Sequence, residues 1–200
     1  MKKIMFNDRY GLTQAVIEGR KTMTRRIIPR EFFTLQWDVS GEKDLVFENA
    51  DGDMIDIRRS RYTKYKVGEV VAVAQSYEKI YHQEGLETMD MLVAGLRSSP
   101  GWRNKLFVKA ELMPHRIRIT GVRCERLQSI SNADCLKEGI RHSFSESVGL
   151  EKYGYIDDRG TGLWFDTPRI AFASLIDNVS GRGTWDLNPW VVVYEFELVK

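Results

Sequence analysis

Short runs of apolar residues, most of them alternating with polar ones, are the feature that most restricts the fold of this chain. Residues 22–28 alternate until a proline at position 29, and residues 70–74 form a continuous apolar run typical of a buried strand. Residues 116–123 alternate arginine with apolar side chains, and residues 190–198 form a closing strand. Because no repeating βαβ unit connects these strands, we expect an α+β fold, mainly β: a small β-barrel with several short helices packed around it.

Three short helices are predicted where a capping residue precedes an apolar stripe. The first is capped at residues 7–8 and stopped by Gly19. The second spans residues 131–138, where a serine three positions before an aspartate resembles a capping box. The third begins at the Thr-Pro pair of residues 167–168, and its apolar side chains recur at i, i+3, i+4 and i+7. Each helix is short enough to fit between the predicted strands.

Length and composition favour a single domain over residues 1–200. Of the 200 residues, 42% are hydrophobic and 29% are charged, which is enough to bury a core. Residues 34–60 and 78–112 interrupt the strand pattern and are predicted to be insertions. No apolar run reaches the ~20 residues that span a bilayer, and residues 1–8 lack the apolar centre of a signal peptide. A cytoplasmic protein without membrane contact is therefore expected, and its oligomeric state is left open.

Cysteine and histidine residues give no indication of a disulfide framework or a metal site. Cys124 and Cys135 are too few for such a framework, belong to no CxxC motif, and are predicted to be small core residues. His82, His115 and His142 share no spacing typical of metal ligands. Neither a Walker loop nor a GxGxxG fingerprint occurs. No metal and no cofactor are predicted.

Basic residues are concentrated in two stretches, although the formal net charge of the whole chain is only +2. The first lies between Glu18 and Glu31 and contains no acid, and the second covers residues 105–126. The predicted ligand-binding arginines are Arg20, Arg25 and Arg26 in the first stretch and Arg116, Arg118 and Arg123 in the second. If the two stretches converge in space, they form an anion-binding surface. The alternative is that each stretch is an ordinary solvated face.

Several motifs resemble those of the ASCH domain family and occur along the chain in the same order as in that family. Their residues are 16–26 (VIEGRKTMTRR), 67–69 (VGE), 113–114 (MP), 122–128 (VRCERLQ), 138–140 (EGI), and Trp185 with 188–190 (NPW). The resemblance extends over nearly the whole chain outside the two insertions, and it is strongest to a longer subgroup often found in phages and prophages. It implies a PUA-like β-barrel whose partner is RNA, single-stranded nucleic acid or a modified nucleoside.

Some small bacterial members of this family are amidohydrolases that remove the acyl group from N4-acetylcytidine. The resemblance implies that the catalytic residues here are Lys21, Thr24 and Glu138. A neutral lysine amine can activate a threonine hydroxyl if its pKa is lowered, and nearby arginines lower that pKa while Glu138 raises it. If Lys21 stays charged, it stabilises an oxyanion while Glu138 moves protons and water attacks. Without such chemistry, Lys21 is a cation at a helix C-terminus and Thr24 a packed strand residue.

Two tryptophans, Trp185 and Trp190, have two interpretations. They form either a platform on which a base stacks, or a plug at one end of the barrel. The leading hypothesis is nucleic-acid or nucleoside binding in a cleft between residues 20–26, residues 116–126 and the loop around Trp185. Hydrolysis of an N4-acyl group is the second hypothesis. A non-enzymatic role in phage development, exercised through protein contacts, is the third.

Overall fold

The computed structural model describes residues 1–28, 46–48, 54–57, 60, 62–83, 95–145 and 149–199. Its strands are β1 Lys3–Ile4, β2 Met23–Ile27, β3 Val46–Glu48, β4 Met54–Asp56, β5 Val70–Val73, β6 Arg116–Arg126, β7 Arg141–Ser145, β8 Leu150–Ile156, β9 Gly162–Phe165 and β10 Trp190–Val199. Its α-helices are α1 Leu12–Ile17, α2 Tyr77–Gln83, α3 Asn132–Lys137, α4 Pro168–Ser180 and α5 Thr184–Leu187. Short 3-10 turns cover Lys105–Phe107, Ala110–Leu112 and Leu127–Ser129. Within the described ranges, no helix combines the length and the apolar character needed to cross a bilayer.

A five-stranded sheet in the order β1-β5-β6-β10-β2 forms the centre of the fold. Strand β10 pairs antiparallel with β6 on one side and with β2 on the other. Tyr194 of β10 is therefore opposite Thr24 of β2 and opposite Val122 of β6. The register between β10 and β6 shifts between Glu195 and Phe196, where the sheet has a bulge. This arrangement brings β2, near the start of the chain, beside the closing strand.

Helix α4 lies against β8 and β9 and directs its apolar stripe into the main hydrophobic core. The Thr167 hydroxyl accepts a hydrogen bond from the Ile170 amide at 3.2 Å, which confirms the predicted cap. Phe172 and Leu175 are buried in the main core cluster, whereas Val179, the last member of the stripe, is 36% exposed. The helix thus covers one side of the region in which β2 begins.

The predicted cap of α1 at residues 7–8 is wrong. Helix α1 follows Gly11, which adopts a left-handed conformation with φ of 64°. Asp8 does not cap the helix because its carboxylate is engaged elsewhere: it accepts a hydrogen bond from the Thr13 hydroxyl and pairs with Lys105 Nζ at 2.9 Å. The predicted end at Gly19 is confirmed, since this glycine has φ of 74° just after the helix.

The prediction of an α+β fold that is mainly β is confirmed. Closure of the central sheet into a barrel stays a prediction, because no pairing of β1 with β2 occurs among the described residues. Of the predicted insertions, residues 34–60 contribute the antiparallel pair β3–β4, with Phe47 opposite Ile55, while much of this segment and residues 84–94 lie outside the described ranges. The sheet β7-β8-β9 was not predicted from the sequence.

Candidate functional site

Lys21 lies between the end of α1 and the start of β2. The left-handed turn at Gly19 reverses the chain, and the Lys21 amide donates a hydrogen bond to the Ala15 carbonyl oxygen at 2.9 Å. The adjacent Thr22 amide donates to the Lys137 carbonyl oxygen at 2.9 Å, which ties this segment to the end of α3. Lys21 is only 1% exposed, so an ammonium group at this position needs partners inside the protein.

Glu138 reaches the same position from the C-terminal end of α3. Ser131 caps that helix, its hydroxyl accepting from the Asp134 amide at 3.1 Å, and Gly139 follows Glu138 with φ of 103°. A Cβ atom at residue 139 would lie 3.3 Å from Leu12 Cδ2 and 3.6 Å from Lys21 Cδ. The positive φ favours glycine at this position, and the tight neighbour of an added Cβ atom would be Leu12, whereas Lys21 lies at ordinary contact distance.

A buried ion pair joins the two predicted catalytic charges. Lys21 Nζ lies 2.6 Å from Glu138 Oε2 and donates a second hydrogen bond to the Glu138 carbonyl oxygen at 2.7 Å. The other carboxylate oxygen of Glu138, Oε1, accepts from Arg25 Nη1 at 3.0 Å. Glu138 itself is only 4% exposed. Both of its oxygens are therefore bound to cations in a site with little water, where such interactions are strong.

The pKa of Lys21 lies below the ordinary lysine value of 10.5. Burial is the largest cause because it disfavours the charged amine, and the positive charges of Arg26 and Arg25 lower the pKa further. Glu138 acts in the opposite direction but does not cancel the effect of burial. The sequence did not decide whether the arginines or Glu138 would determine the pKa of Lys21. In the structure the net effect is a lowered pKa, which favours the neutral amine.

Replacing Glu138 with glutamine should lower the pKa of Lys21 still further, because it removes the main group that raises this pKa. The measurement is an NMR titration of the Lys21 side chain in the parent and in Glu138→Gln.

The lowered pKa of Lys21 also affects stability. Between this lowered pKa and 10.5 the unfolded chain holds more protons than the folded protein, so the contribution of Lys21 to the free energy of unfolding rises with pH in that window. Titration of the parent at or above 10.5 would contradict this description.

Thr24 and the ion pair line one cavity of about 200 Å³. Its walls also include the apolar side chains of Phe6, Phe172 and Leu175. Thr24 is buried in the first part of β2, and within the described part of the chain its hydroxyl has no hydrogen-bond partner. The structure therefore brings all three predicted catalytic residues to one cavity, with the Thr24 hydroxyl unengaged.

Arg25 and Arg123 lie in an ion-pair network rather than on an open basic surface. Both are opposite Val193 of β10, one from β2 and one from β6. Arg25 Nη2 lies 2.7 Å from Glu125 Oε1, and Arg123 Nη2 lies 3.1 Å from Asp134 Oδ2. Arg123 also pairs with Glu125 Oε2 at 3.0 Å and with Glu195. The first and second basic stretches do converge, as the binding hypothesis requires. Where they meet, however, the charges of Arg25 and Arg123 are neutralised by acidic side chains.

The other predicted binding arginines are in different surroundings. Arg20 is paired with Glu18 at 2.7 Å, and Arg116 and Arg118 are exposed at the far end of β6. Arg26 lines the cavity and donates a hydrogen bond to the Met5 carbonyl oxygen. Of these arginines, Arg26 shares the lining of the cavity with Arg25.

Both tryptophans pack against the main core, and an arginine guanidinium lies over the ring of each. Arg126 lies 4.4 Å from the ring centroid of Trp190, and Arg169 lies 5.1 Å from that of Trp185. Phe172 contacts Trp185 edge-on, with 6.2 Å between ring centroids. These contacts favour the interpretation of the two indoles as packing groups, with cation–π contacts on their faces.

Comparison with known proteins finds no matching family model, curated protein or solved structure. Within the described residues, no group of three or more histidine, cysteine or acidic side chains is placed to hold a metal ion.

The acids that organise the arginine network were not predicted from the sequence. In the sequence, Glu125 interrupts a basic strand, Asp134 belongs to a helix cap, and Glu195 is a polar position in the last strand. None of these patterns indicates an ion pair with an arginine. The available signal was the short spacing between Arg123 and Glu125, which lie on one face of β6 and form an ion pair at 3.0 Å.

Proposed function

We propose that the cavity lined by Lys21, Thr24 and Glu138 hydrolyses the exocyclic N-acyl amide of a cytosine-type base, as the ASCH resemblance implies. The observation that carries this proposal is the buried Lys21–Glu138 pair, 2.6 Å apart, in the wall of the cavity that Thr24 also lines. A buried lysine with a lowered pKa, in the same cavity lining as a hydroxyl that has no hydrogen-bond partner within the described residues, is suited to activating a nucleophile. Membership of the ASCH family and closure into a PUA-like barrel are parts of the same proposal.

The size of the cavity favours a small reacting group. Its volume of about 200 Å³ is below the roughly 300–1,000 Å³ typical of pockets that enclose drug-sized ligands. An acylated base can enter such a space, while a sugar or a longer chain has to remain outside it. Phe6 and Phe172 give the walls the apolar surface against which a planar base packs.

The reaction needs one proton acceptor and one nucleophile. The Thr24 hydroxyl oxygen attacks the acyl carbon, and its proton passes to the neutral amine of Lys21. The amide C–N bond then breaks, the base nitrogen takes the proton from Lys21 and leaves as an amine, and the acyl group remains as an ester on Thr24. Water cleaves this ester by the same proton transfer through Lys21, which releases the carboxylic acid and restores Thr24.

Glu138 positions Lys21 and balances the charge of the cavity. Its two oxygens accept from Lys21 and Arg25, which fixes the direction of the lysine side chain. With the Lys21 amine neutral, the lining of the cavity still holds two cations, Arg25 and Arg26, against the carboxylate of Glu138. This excess of positive charge favours the negative charge that develops on the acyl oxygen during attack.

Binding of an extended nucleic acid has less support than hydrolysis of a small amide. Arg25 and Arg123, which the binding hypothesis places on the surface of the cleft, are ion-paired to Glu125, Glu138 and Asp134 instead. A phosphate would have to displace those carboxylates. Nucleic-acid binding through the exposed Arg116 and Arg118 stays a prediction.

The test is incubation of the purified protein with N4-acetylcytidine, followed by chromatography for cytidine and an assay for acetate. We expect both products to appear in equal amounts and in proportion to enzyme concentration. N4-methylcytidine is the matched control because it carries an exocyclic substituent without an amide bond, and it should be unchanged. Product formation no faster than in buffer, across N-acetyl, N-propionyl and N-benzoyl cytosine compounds, would refute the proposed reaction.

A further inference from the structure

A second cavity, of about 540 Å³, lies beside the first and is cationic and aromatic. Its described lining contains three cations, Lys3, Arg26 and Lys64, and three tyrosines that include Tyr65 and Tyr194. No carboxylate is present among these lining residues. A volume within the roughly 300–1,000 Å³ of ordinary ligand pockets makes it large enough for a sugar with a phosphate group.

The cations of this second cavity lack carboxylate partners within the described part of the chain. Lys3 Nζ donates to three backbone carbonyl oxygens, those of Lys105, Leu106 and Val108, at 2.6–3.1 Å. Among the described residues, the Arg26 guanidinium donates to the Met5 carbonyl oxygen alone, although it has five N–H donors. Since Arg26 is largely buried, keeps unused N–H donors and has no ion pair within the described residues, a bound anion would be stabilised here.

Lys64 offers an ammonium group that is already held near the tyrosines. Its amine lies 5.6 Å from the ring centroid of Tyr65, and its backbone amide donates to the Tyr194 hydroxyl at 2.9 Å. The Tyr65 hydroxyl donates to the Lys3 carbonyl oxygen at 2.8 Å. Burial raises the pKa of Tyr65 to about 12, so this side chain carries no negative charge that would repel an anion near neutral pH.

The register of the central sheet places the two cavities side by side. Thr24 lines the smaller cavity, and its partner directly across the sheet, Tyr194, lines the larger one. Side chains of directly opposite residues lie on the same face of a sheet, about 4.5–5.5 Å apart at Cβ. Arg26 lines both cavities. The two cavities therefore lie on one side of the β2–β10 pair and share the side chain of Arg26.

We propose that the larger cavity binds the sugar and phosphate of a nucleotide whose acylated base occupies the smaller cavity. This inference rests on the proposed function for the identity of the base, and it assigns the substrate class: an N-acylated cytidine phosphate is preferred over the free nucleoside. Lys64 and Arg26 are the residues that contact the phosphate, and the tyrosines line the sugar.

Calorimetric titration of the parent protein with cytidine 5′-monophosphate and with cytidine tests this proposal without any turnover. We expect the nucleotide to bind about tenfold more tightly, as one charge-assisted hydrogen bond provides. Added salt should weaken nucleotide binding and leave cytidine binding unchanged, because only the phosphate interaction is screened. Lys64→Met should remove most of the difference between the two ligands.

Lys66→Met is the matched control, since Lys66 is an exposed lysine two residues away that does not line the cavity. Nucleotide affinity should be unchanged in this variant. Arg26→Gln, checked for folding by thermal unfolding, should weaken the nucleotide as Lys64→Met does. Equal affinity for nucleotide and nucleoside in the parent would overturn the phosphate site, even if the protein deacylates N4-acetylcytidine. Tight, Lys64-dependent nucleotide binding without deacylation would support the phosphate site and refute only the proposed reaction.

Discussion

Replacing Thr24 with valine should reduce hydrolysis of N4-acetylcytidine about a thousandfold or more, because the variant has no nucleophilic hydroxyl. Valine has the same branched shape as threonine and is favoured in strands. The Thr24 hydroxyl has no hydrogen bond within the described part of the chain, so its removal leaves no described donor or acceptor unpaired. The measurements are the initial rate of cytidine release and the thermal unfolding curve, of which only the first should change.

Two matched variants make this result specific. Thr24→Ser keeps a hydroxyl at the same position and should retain much of the activity. Thr22→Val removes a threonine hydroxyl two residues earlier, outside the lining of the cavity, and should behave as the parent. Substantial hydrolysis by Thr24→Val would contradict attack by the threonine. It would assign the attack to water, with Lys21 and Glu138 as the groups that move protons.

The central sheet could be predicted because its strands carry strong local patterns. In β6, Ile117 and Ile119 are fully buried while Arg116 and Arg118, which alternate with them, are exposed, as the pattern indicates. In β7-β8-β9 the pattern is weak because much of that sheet is solvated: Phe144, Leu163 and Trp164 are all exposed. A sheet that buries neither face fully imposes little alternation on its sequence, which explains why this element was missed.

Family resemblance identified the residues of the candidate site, but local sequence patterns could not predict their contacts. Lys21 and Glu138 are 117 positions apart, and no periodicity relates them. Their contact depends on the turn at Gly19, the cap at Ser131 and the pairing of β2 with β10. Charge patterning likewise located the arginines without revealing their partners. Whether an arginine is free or neutralised is decided by tertiary contacts, so Arg25 and Arg26, adjacent in sequence, differ in their availability to a ligand.

Replacing Glu138 with leucine should lower the free energy of unfolding by about 3–5 kcal/mol, which is typical when one partner of a buried ion pair is removed. Of the described acceptors, the variant leaves the buried Lys21 amine with the backbone carbonyl oxygen of residue 138 alone. Arg25 keeps Glu125 at 2.7 Å and Asp134 at 3.4 Å, so the loss is concentrated on the lysine. Chemical denaturation of the parent and the variant at neutral pH measures the difference.

The control is the exposed pair between Arg118 and Glu197, whose atoms are 3.7 Å apart on the same central sheet. Arg118→Ala should change the free energy of unfolding by less than about 1 kcal/mol. A loss in Glu138→Leu no larger than this would contradict the description of the Lys21–Glu138 pair as a buried interaction. The variant should also be inactive, but inactivity in a destabilised protein does not identify a chemical role.

The double variant Lys21→Met/Glu138→Leu separates stability from chemistry. Apolar side chains of similar volume often replace a buried ion pair without loss of stability, so the double variant should recover much of what Glu138→Leu loses. It should nevertheless have no hydrolytic activity, since both the proton acceptor and the group that positions it are absent. A protein as stable as the parent and inactive would mean that folding does not require these charges. The presence of the Lys21–Glu138 pair would then be attributed to its role in the reaction. Activity in the double variant would instead exclude Lys21 as the proton acceptor.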